Sequence, residues 1–197
     1  MKEKMATQIY QLKISLRGSE PVIWRKLLVP SSLLLSTFHA VIQVAMGWEN
    51  CHLHQFIKNR TFYAPKMVGD DLWGDMDNVD YKGIILSDLL KNEKDKIVYE
   101  YDFGDGWEHD IILEKILPVE STQAYPFCLG GKMACPPEDC GGVWGYESML
   151  QAIQDPKHEE HEEILDWLGD DFDPKYFDAA EVNASFKKLF SGKKKLL

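Results

Sequence analysis

The stretch from Ile97 to Leu117 constrains the fold more than any other part of the chain. Ile97, Tyr99, Tyr101 and Phe103 alternate with Val98, Glu100 and Asp102, Gly104-Asp105-Gly106 interrupts, and Trp107, His109, Ile111 and Leu113 alternate again. An apolar period of two on both sides of a turn specifies a hairpin with one buried face. The Asp-Gly dipeptide favours a two-residue turn. That turn would set Phe103 opposite Glu108 and Tyr101 opposite Asp110, which mixes the faces. A three-residue loop with Gly106 in the left-handed region pairs Phe103 with Trp107, Tyr101 with His109, Tyr99 with Ile111 and Ile97 with Leu113. All eight side chains then share a face, so this register is expected. His109, on that face, reads as a hydrogen-bonded core residue.

The opposite face then holds Asp102 across from Glu108 and Glu100 across from Asp110. Like charges directly opposite on paired strands destabilise them. This acidic face of Glu100, Asp102, Glu108 and Asp110 has three open explanations: neutralisation by Arg25, Lys26 or Lys13, a solvated surface, or a hard cation held by oxygen ligands.

Tyr10, Leu12, Ile14 and Leu16 mark a strand, and Val22 to Val29 reads as its antiparallel partner. Ser36 or Thr37 is expected to cap a helix with the apolar stripe Phe38, Val41, Ile42 and Ala45, stopped by Gly47. A short hairpin is expected over Leu53 to Ile57 and Thr61 to Tyr63, and a short helix from Ser87 to Leu90. Residues 64–82, which include Trp73, and residues 118–143 read as loops. Helices are expected over Tyr146 to Ile153, Glu159 to Leu168 and Glu181 to Phe190, with a helical turn at Asp173-Pro174. Strands early and helices late argue α+β: a mostly antiparallel sheet of about five to six strands with helices packed on it, and a helical C-terminal third. The 197 residues read as one domain with a frayed basic tail over 191–197.

The net charge of −10 makes DNA a poor partner, because duplex affinity comes from cationic side chains that release counterions. Lys187, Lys188, Lys193, Lys194 and Lys195 form the one dense basic run. No secretion signal is evident, and the apolar stretch from Leu33 to Trp48 is too short and too interrupted to span a bilayer. A cytoplasmic location without membrane contact is expected, where the 4 cysteines stay reduced. No phosphate-cradling glycine loop or Gly-x-Ser-x-Gly elbow occurs.

Cys128, Cys135 and Cys140 fall within one Pro- and Gly-rich loop of 13 residues. Structural zinc takes four nitrogen or sulfur ligands and can hold such a loop. Cys51, His52 or His54 could complete the set, so Cys128, Cys135, Cys140, His52 and His54 are candidate metal ligands, with reduced structural thiols as the alternative. His158-Glu159-Glu160-His161 is one residue short of a zincin motif and reads as the acidic first turn of an ordinary amphipathic helix. Trp48, Tyr101, Trp107, His109 and Trp144, with Trp73, are candidates for an aromatic groove beside the cysteine loop.

Several segments together resemble a known family: Gly47-Trp48, His52-Leu53-His54-Gln55-Phe56, Tyr101 to His109, Cys135-Pro136-Pro137-Glu138-Asp139-Cys140-Gly141-Gly142, Asp155 to His161 and Phe172-Asp173-Pro174. The series is similar to that of the Ri-plasmid ORF-three-like family over nearly the whole chain. The resemblance implies an α+β domain with a history on plasmids and mobile elements, and no established activity. Some members carry a resolvase-like label. This chain has no serine-recombinase arrangement and no helix-turn-helix with a basic recognition helix.

The expected function is a non-enzymatic binding or accessory module of mobile-element origin, receiving a protein or small ligand in that groove. A zinc-dependent hydrolase and a nucleic-acid accessory factor are the alternatives. Residues 100–110 and 128–142 should then meet around a concavity.

Overall fold

In the computed structural model, which describes residues 8–66, 78–169 and 172–191, the expected hairpin lies inside a larger sheet. Its strands are β6 (Lys96–Tyr101) and β7 (Trp107–Leu117). The buried parity is as expected, but the register is not. Tyr101 faces Trp107, Tyr99 faces His109 and Ile97 faces Ile111. The turn takes five residues, because Asp102 adopts the left-handed region (φ 57°). Its carbonyl accepts the Gly106 N–H at 2.6 Å and its carboxylate accepts the Gly104 N–H at 2.9 Å. Phe103 leaves the apolar face and is 49% exposed.

The acidic face is smaller as a result. Neither expected pair forms: Glu100 lies across from Glu108, Asp110 faces Val98 and Asp102 has left the strand. Arg17 supplies the countercharge, rather than Arg25, Lys26 or Lys13. Its guanidinium reaches Glu108 at 2.5 Å and Asp110 at 2.7 Å. The Gln55 amide donates to Glu100 at 2.6 Å. Lys26 pairs with Glu114. The Arg17 pairs are wet, so Arg17→Ala is expected to cost under ~1 kcal/mol. A shift in urea midpoint beyond that would show the carboxylates repelling one another more than their exposure allows.

β1 (Ile9–Leu16) pairs antiparallel with both β7 and β2 (Trp24–Pro30). β8 (Phe127–Lys132) adds to β2. On the other side, β6 carries β3 (His54–Lys58), then β4 (Thr61–Ala64), then β5 (Asn78–Asp80). Among the described residues the sheet therefore has eight strands in the order β5-β4-β3-β6-β7-β1-β2-β8, antiparallel except at β4–β5. The two unexpected strands lie in segments read as loops. β5 is three residues long and exposed. β8 is disguised by Gly130-Gly131. At Gly131 a side chain has no room, since its Cβ would meet the Phe177 ring at 2.7 Å and the Trp24 carbonyl at 2.8 Å.

α1 (Leu35–Met46) buries Phe38, Val41, Ile42 and Ala45 on the sheet. It starts one residue before the expected caps, because Leu34 is held in a bridge to Ile85. Gly47 ends it in the left-handed region (φ 101°), its N–H on Gln43 O. α2 (Leu86–Leu89) follows. α3 (Gly142–Gln154), α4 (His161–Leu168) and α5 (Ala179–Phe190) make the C-terminal part mainly helical. The turn expected at Asp173-Pro174 is a single one, closed by the Tyr176 N–H on the Asp173 carbonyl at 3.0 Å. Lys187 and Lys188 sit in the last turn of α5, where cations suit the helix dipole. Trp73 and Lys193 to Lys195 lie outside the described residues. No helix among the described residues is long and apolar enough to cross a membrane.

Candidate functional site

Beyond Gly47 the chain crosses the C-terminal end of β6, and two loops meet there. The Trp48 ring stacks on Tyr101 at 5.0 Å, and its indole N–H donates to the Pro136 carbonyl at 3.1 Å. The Tyr101 hydroxyl accepts the Cys51 N–H at 3.0 Å and the His52 N–H at 3.3 Å. It donates to Glu138 Oε1 at 2.7 Å. The Glu49 N–H reaches the same oxygen at 3.0 Å, and the Cys51 thiol donates to Glu138 Oε2 at 2.7 Å. One carboxylate thus fastens residues 49–51 to the cysteine loop.

The electrostatics follow from this geometry. Burial raises the Glu138 pKa, but the Cys51, Tyr101 and Glu49 donors outweigh it and hold the carboxyl below its ordinary range. The bond to Glu138 raises the Cys51 thiol in turn. Burial, then Glu138, raises Tyr101. His52 is the neighbouring group. Its Nδ1 is 3.7 Å from Asp102 Oδ2 and its Nε2 is 3.3 Å from Asp139 Oδ1. That Nε2 is buried and has no hydrogen-bond partner. Asn50 (φ 62°), Asp102 (φ 57°) and Asp139 (φ 59°) all stand in the left-handed region around it. Short polar side chains tolerate that conformation, and such residues concentrate at functional sites. Asn50 and Asp102 border a cleft of about 410 Å³, lined also by Cys51, His52, Leu53, Phe103 and Gly104.

The expected zinc set does not assemble. Among the described residues, the triples whose ligand atoms lie within 4.8 Å of one another are Cys51, His52, Glu138 and His52, Asp102, Asp139. Cys128 is buried in β8, where Asn183 of α5 bonds its backbone. Burial raises the thiols of Cys128, Cys135 and Cys140, the last to about 12. All four cysteines are free. His54 points into the core, stacked on His39 at 3.4 Å and bonded to Tyr81 OH at 2.8 Å.

The aromatic groove is also corrected. Tyr101, Trp107 and His109 are fully buried, Trp48 nearly so, and Trp144 is 81% exposed. The aromatics form a packed floor, and the cleft above it is about equally polar and apolar. The two segments expected around a concavity touch, although the cleft is lined from residues 50–53 and 102–104. Residues 100–110 and 128–142 meet where Tyr101 bonds Glu138 and Asp105 accepts the Gly141 N–H at 3.2 Å. His161 Nδ1–H donates to the Ala152 carbonyl at 2.8 Å, as a residue of an ordinary helix end. Glu138 and Asp139 were not singled out in the sequence, where no local pattern links them to Cys51 and His52.

Two glycines let the cysteine loop approach. A Cβ on Gly145 would lie 1.9 Å from the Cys140 carbonyl, and one on Gly142 (φ 69°) 2.4 Å from the Asp105 carbonyl. Backbone cannot yield as a side-chain tip does. Gly145→Ala is expected to cost ~1–3 kcal/mol, as overpacking does, and to displace residues 136–140. Loss of the amide chemical shifts of Glu138 and Asp139 would report this, whereas an unchanged spectrum would mean that the loop does not depend on the close approach.

Residues 8–181 match the family described as plasmid pRiA4b ORF-3-like protein. The chain is 38% identical over 188 residues to the uncharacterized protein y4hQ of Sinorhizobium fredii (strain NBRC 101917 / NGR234), covering 94% of each. It also resembles the crystal structure of a protein of unknown function, MM3350, from Methanosarcina mazei Go1. The TM-score there is 0.78 at 42% identity, over 89% of this chain and 97% of that one.

Proposed function

The chain belongs to the plasmid pRiA4b ORF-3-like family, and from that premise we propose that it is a non-enzymatic binding module of mobile-element origin whose cleft takes a cationic ligand. The observation that carries this reading is the pair of carboxylates beside His52, a residue of the cleft wall. Asp102 and Asp139 flank His52 from both sides, at 3.7 and 3.3 Å. The cleft of about 410 Å³ is of the size that holds small ligands. Leu53 and Phe103, each about half exposed, offer an apolar rim.

Binding fits better than catalysis on the groups present. The Cys51 thiol is raised by its bond to a carboxylate, which disfavours the thiolate a nucleophile needs. His39, His54 and His109 are buried with lowered pKa values, and none faces the cleft as a free base. The net charge of −10 also disfavours nucleic acid as the ligand.

A titration followed by amide chemical shifts tests this. Propylamine and arginine methyl ester are expected to move residues 50–53 and 102–104, and propionate is not. Replacing Asp102 and Asp139 together by Asn should abolish the response. If neither cation moves those amides, or propionate moves them equally, the cleft is not a cation site.

A further inference from the structure

The cleft wall carries a more specific chemistry than negative charge. We infer that Cys51, His52 and Glu138, with Asp139 beside them, form a zinc-binding site, an inference that rests on the cleft being a cation site. The donors come from two segments, Cys51-His52 and Glu138-Asp139, and offer one sulfur, one nitrogen and carboxylate oxygens. That mixed set suits zinc, which accepts thiolate, imidazole and carboxylate together, whereas magnesium and calcium take oxygen alone.

The spacing agrees with the chemistry. A tetrahedral zinc with nitrogen and oxygen bonds of about 2.0–2.1 Å holds those two ligand atoms roughly 3.3 Å apart. His52 Nε2 and Asp139 Oδ1 are 3.3 Å apart without making a hydrogen bond. An imidazole nitrogen buried without a partner is costly, and a metal bond would satisfy it. Cys51 Sγ, a His52 ring nitrogen and a Glu138 oxygen also lie within 4.8 Å of one another.

The surroundings are those of a prepared ligand set. A metal-binding carboxylate keeps its geometry when its second oxygen is held from outside. Glu138 Oε1 is held by the Tyr101 hydroxyl and the Glu49 N–H, while Oε2 accepts from the Cys51 thiol. Asp102 stands on the Nδ1 side of His52, where an outer carboxylate orients a metal-bound imidazole. Zinc would replace the proton now shared by Cys51 and Glu138. The S–H bond breaks, a zinc–sulfur bond forms, and one proton leaves to solvent. Tyr101 is a positioning residue in this scheme, since it touches the carboxylate and not the ion.

The test uses the full chain, untagged and chelator-washed. Zinc uptake is measured by plasma mass spectrometry, and cobalt(II) replaces zinc as a spectroscopic probe. One zinc per chain is expected, with a thiolate-to-cobalt charge-transfer band and zinc-dependent protection of Cys51 from alkylation. C51S and H52A should abolish the band, while C128S keeps it. Y101F should weaken zinc by ~10–100-fold, as loss of an outer partner does, with the band retained. The alkylation measurement needs no variant, so misfolding of a mutant cannot mask the result. No zinc uptake, equal affinity in C51S, or loss of zinc in C128S alone would overturn the assignment. If zinc fails but the amines still shift the cleft amides, the zinc site is wrong and the cation cleft stands; if both fail, both fall.

Discussion

Between pH 6.5 and pH 4 the protein is expected to lose several kcal/mol of stability. The cause is three histidines folded in neutral form. Burial pushes His109 down from 6.5 to about 4. Burial, reinforced by the adjacent His39, pushes His54 to about 3, and burial lowers His39 as well. In the unfolded chain each titrates near its ordinary value, so the unfolded state binds more protons throughout this window. Stability is therefore full above pH 6.5 and falls until the pH reaches the folded-state values. His109 alone, fully buried, accounts for ~3 kcal/mol at about 1.4 kcal/mol per pH unit. The His39–His54 stack adds to the same side, since two imidazolium rings at 3.4 Å would repel. Urea midpoints at pH 7.5, 6, 5 and 4 measure the slope. A flat profile down to pH 5 would show that these rings can be protonated inside the fold.

Arg25→Leu is expected to remove ~3–5 kcal/mol, the range for breaking a buried polar network. Arg25 is 2% exposed. Its Nε donates to the Ala45 carbonyl at 2.8 Å, and Nη1 donates to the carbonyls of Trp24 and Lys132 at 2.9 and 3.0 Å. The guanidinium also lies over the Phe177 ring at 4.3 Å. One side chain thus joins the end of α1, strands β2 and β8, and the segment before α5. Its position at the last turn of α1 matches the negative end of that helix. Leucine fills most of the space but strands three carbonyls. Arg25→Lys should recover little, because an ammonium cannot reproduce the planar fork. A urea midpoint for Arg25→Leu within ~1 kcal/mol of the parent would mean that burying the cation costs about what its bonds return.

The sequence was legible where side-chain alternation carries the information. The buried parity of β6 and β7, the β1–β2 pair and the stripe of α1 all follow from periodicity. It was less legible where a single residue's conformation decides. The β6–β7 register depends on Asp102 entering the left-handed region, and Asp at a strand end does not announce that. β8 was hidden because Gly130 and Gly131 erase the alternation for the sake of Phe177. At the site, three cysteines close in sequence suggested a metal loop, yet Cys128 packs in the sheet and Cys135 is tied to the core. The acids that do approach His52 come from residues 102, 138 and 139, and only the folded chain brings them to residue 52. In the sequence Asp102 stands out for its charge alone, as a member of the acidic face.

The strand order also sets a timetable for synthesis. β1 and β2 are made first and can form a hairpin, but the other edge of β1 belongs to β7, with Leu16 facing His109. That edge stays unpaired until about a hundred further residues have emerged, and β2 waits longer still for β8. Pairings so distant in sequence are slow to close. At ribosomal speeds of roughly 5–20 residues per second, the nascent chain holds an apolar strand edge open for several seconds. A chain of this topology is thus most exposed to aggregation while it is being born, and a ribosome stalled before β7 would present the part of the sheet that the finished protein encloses.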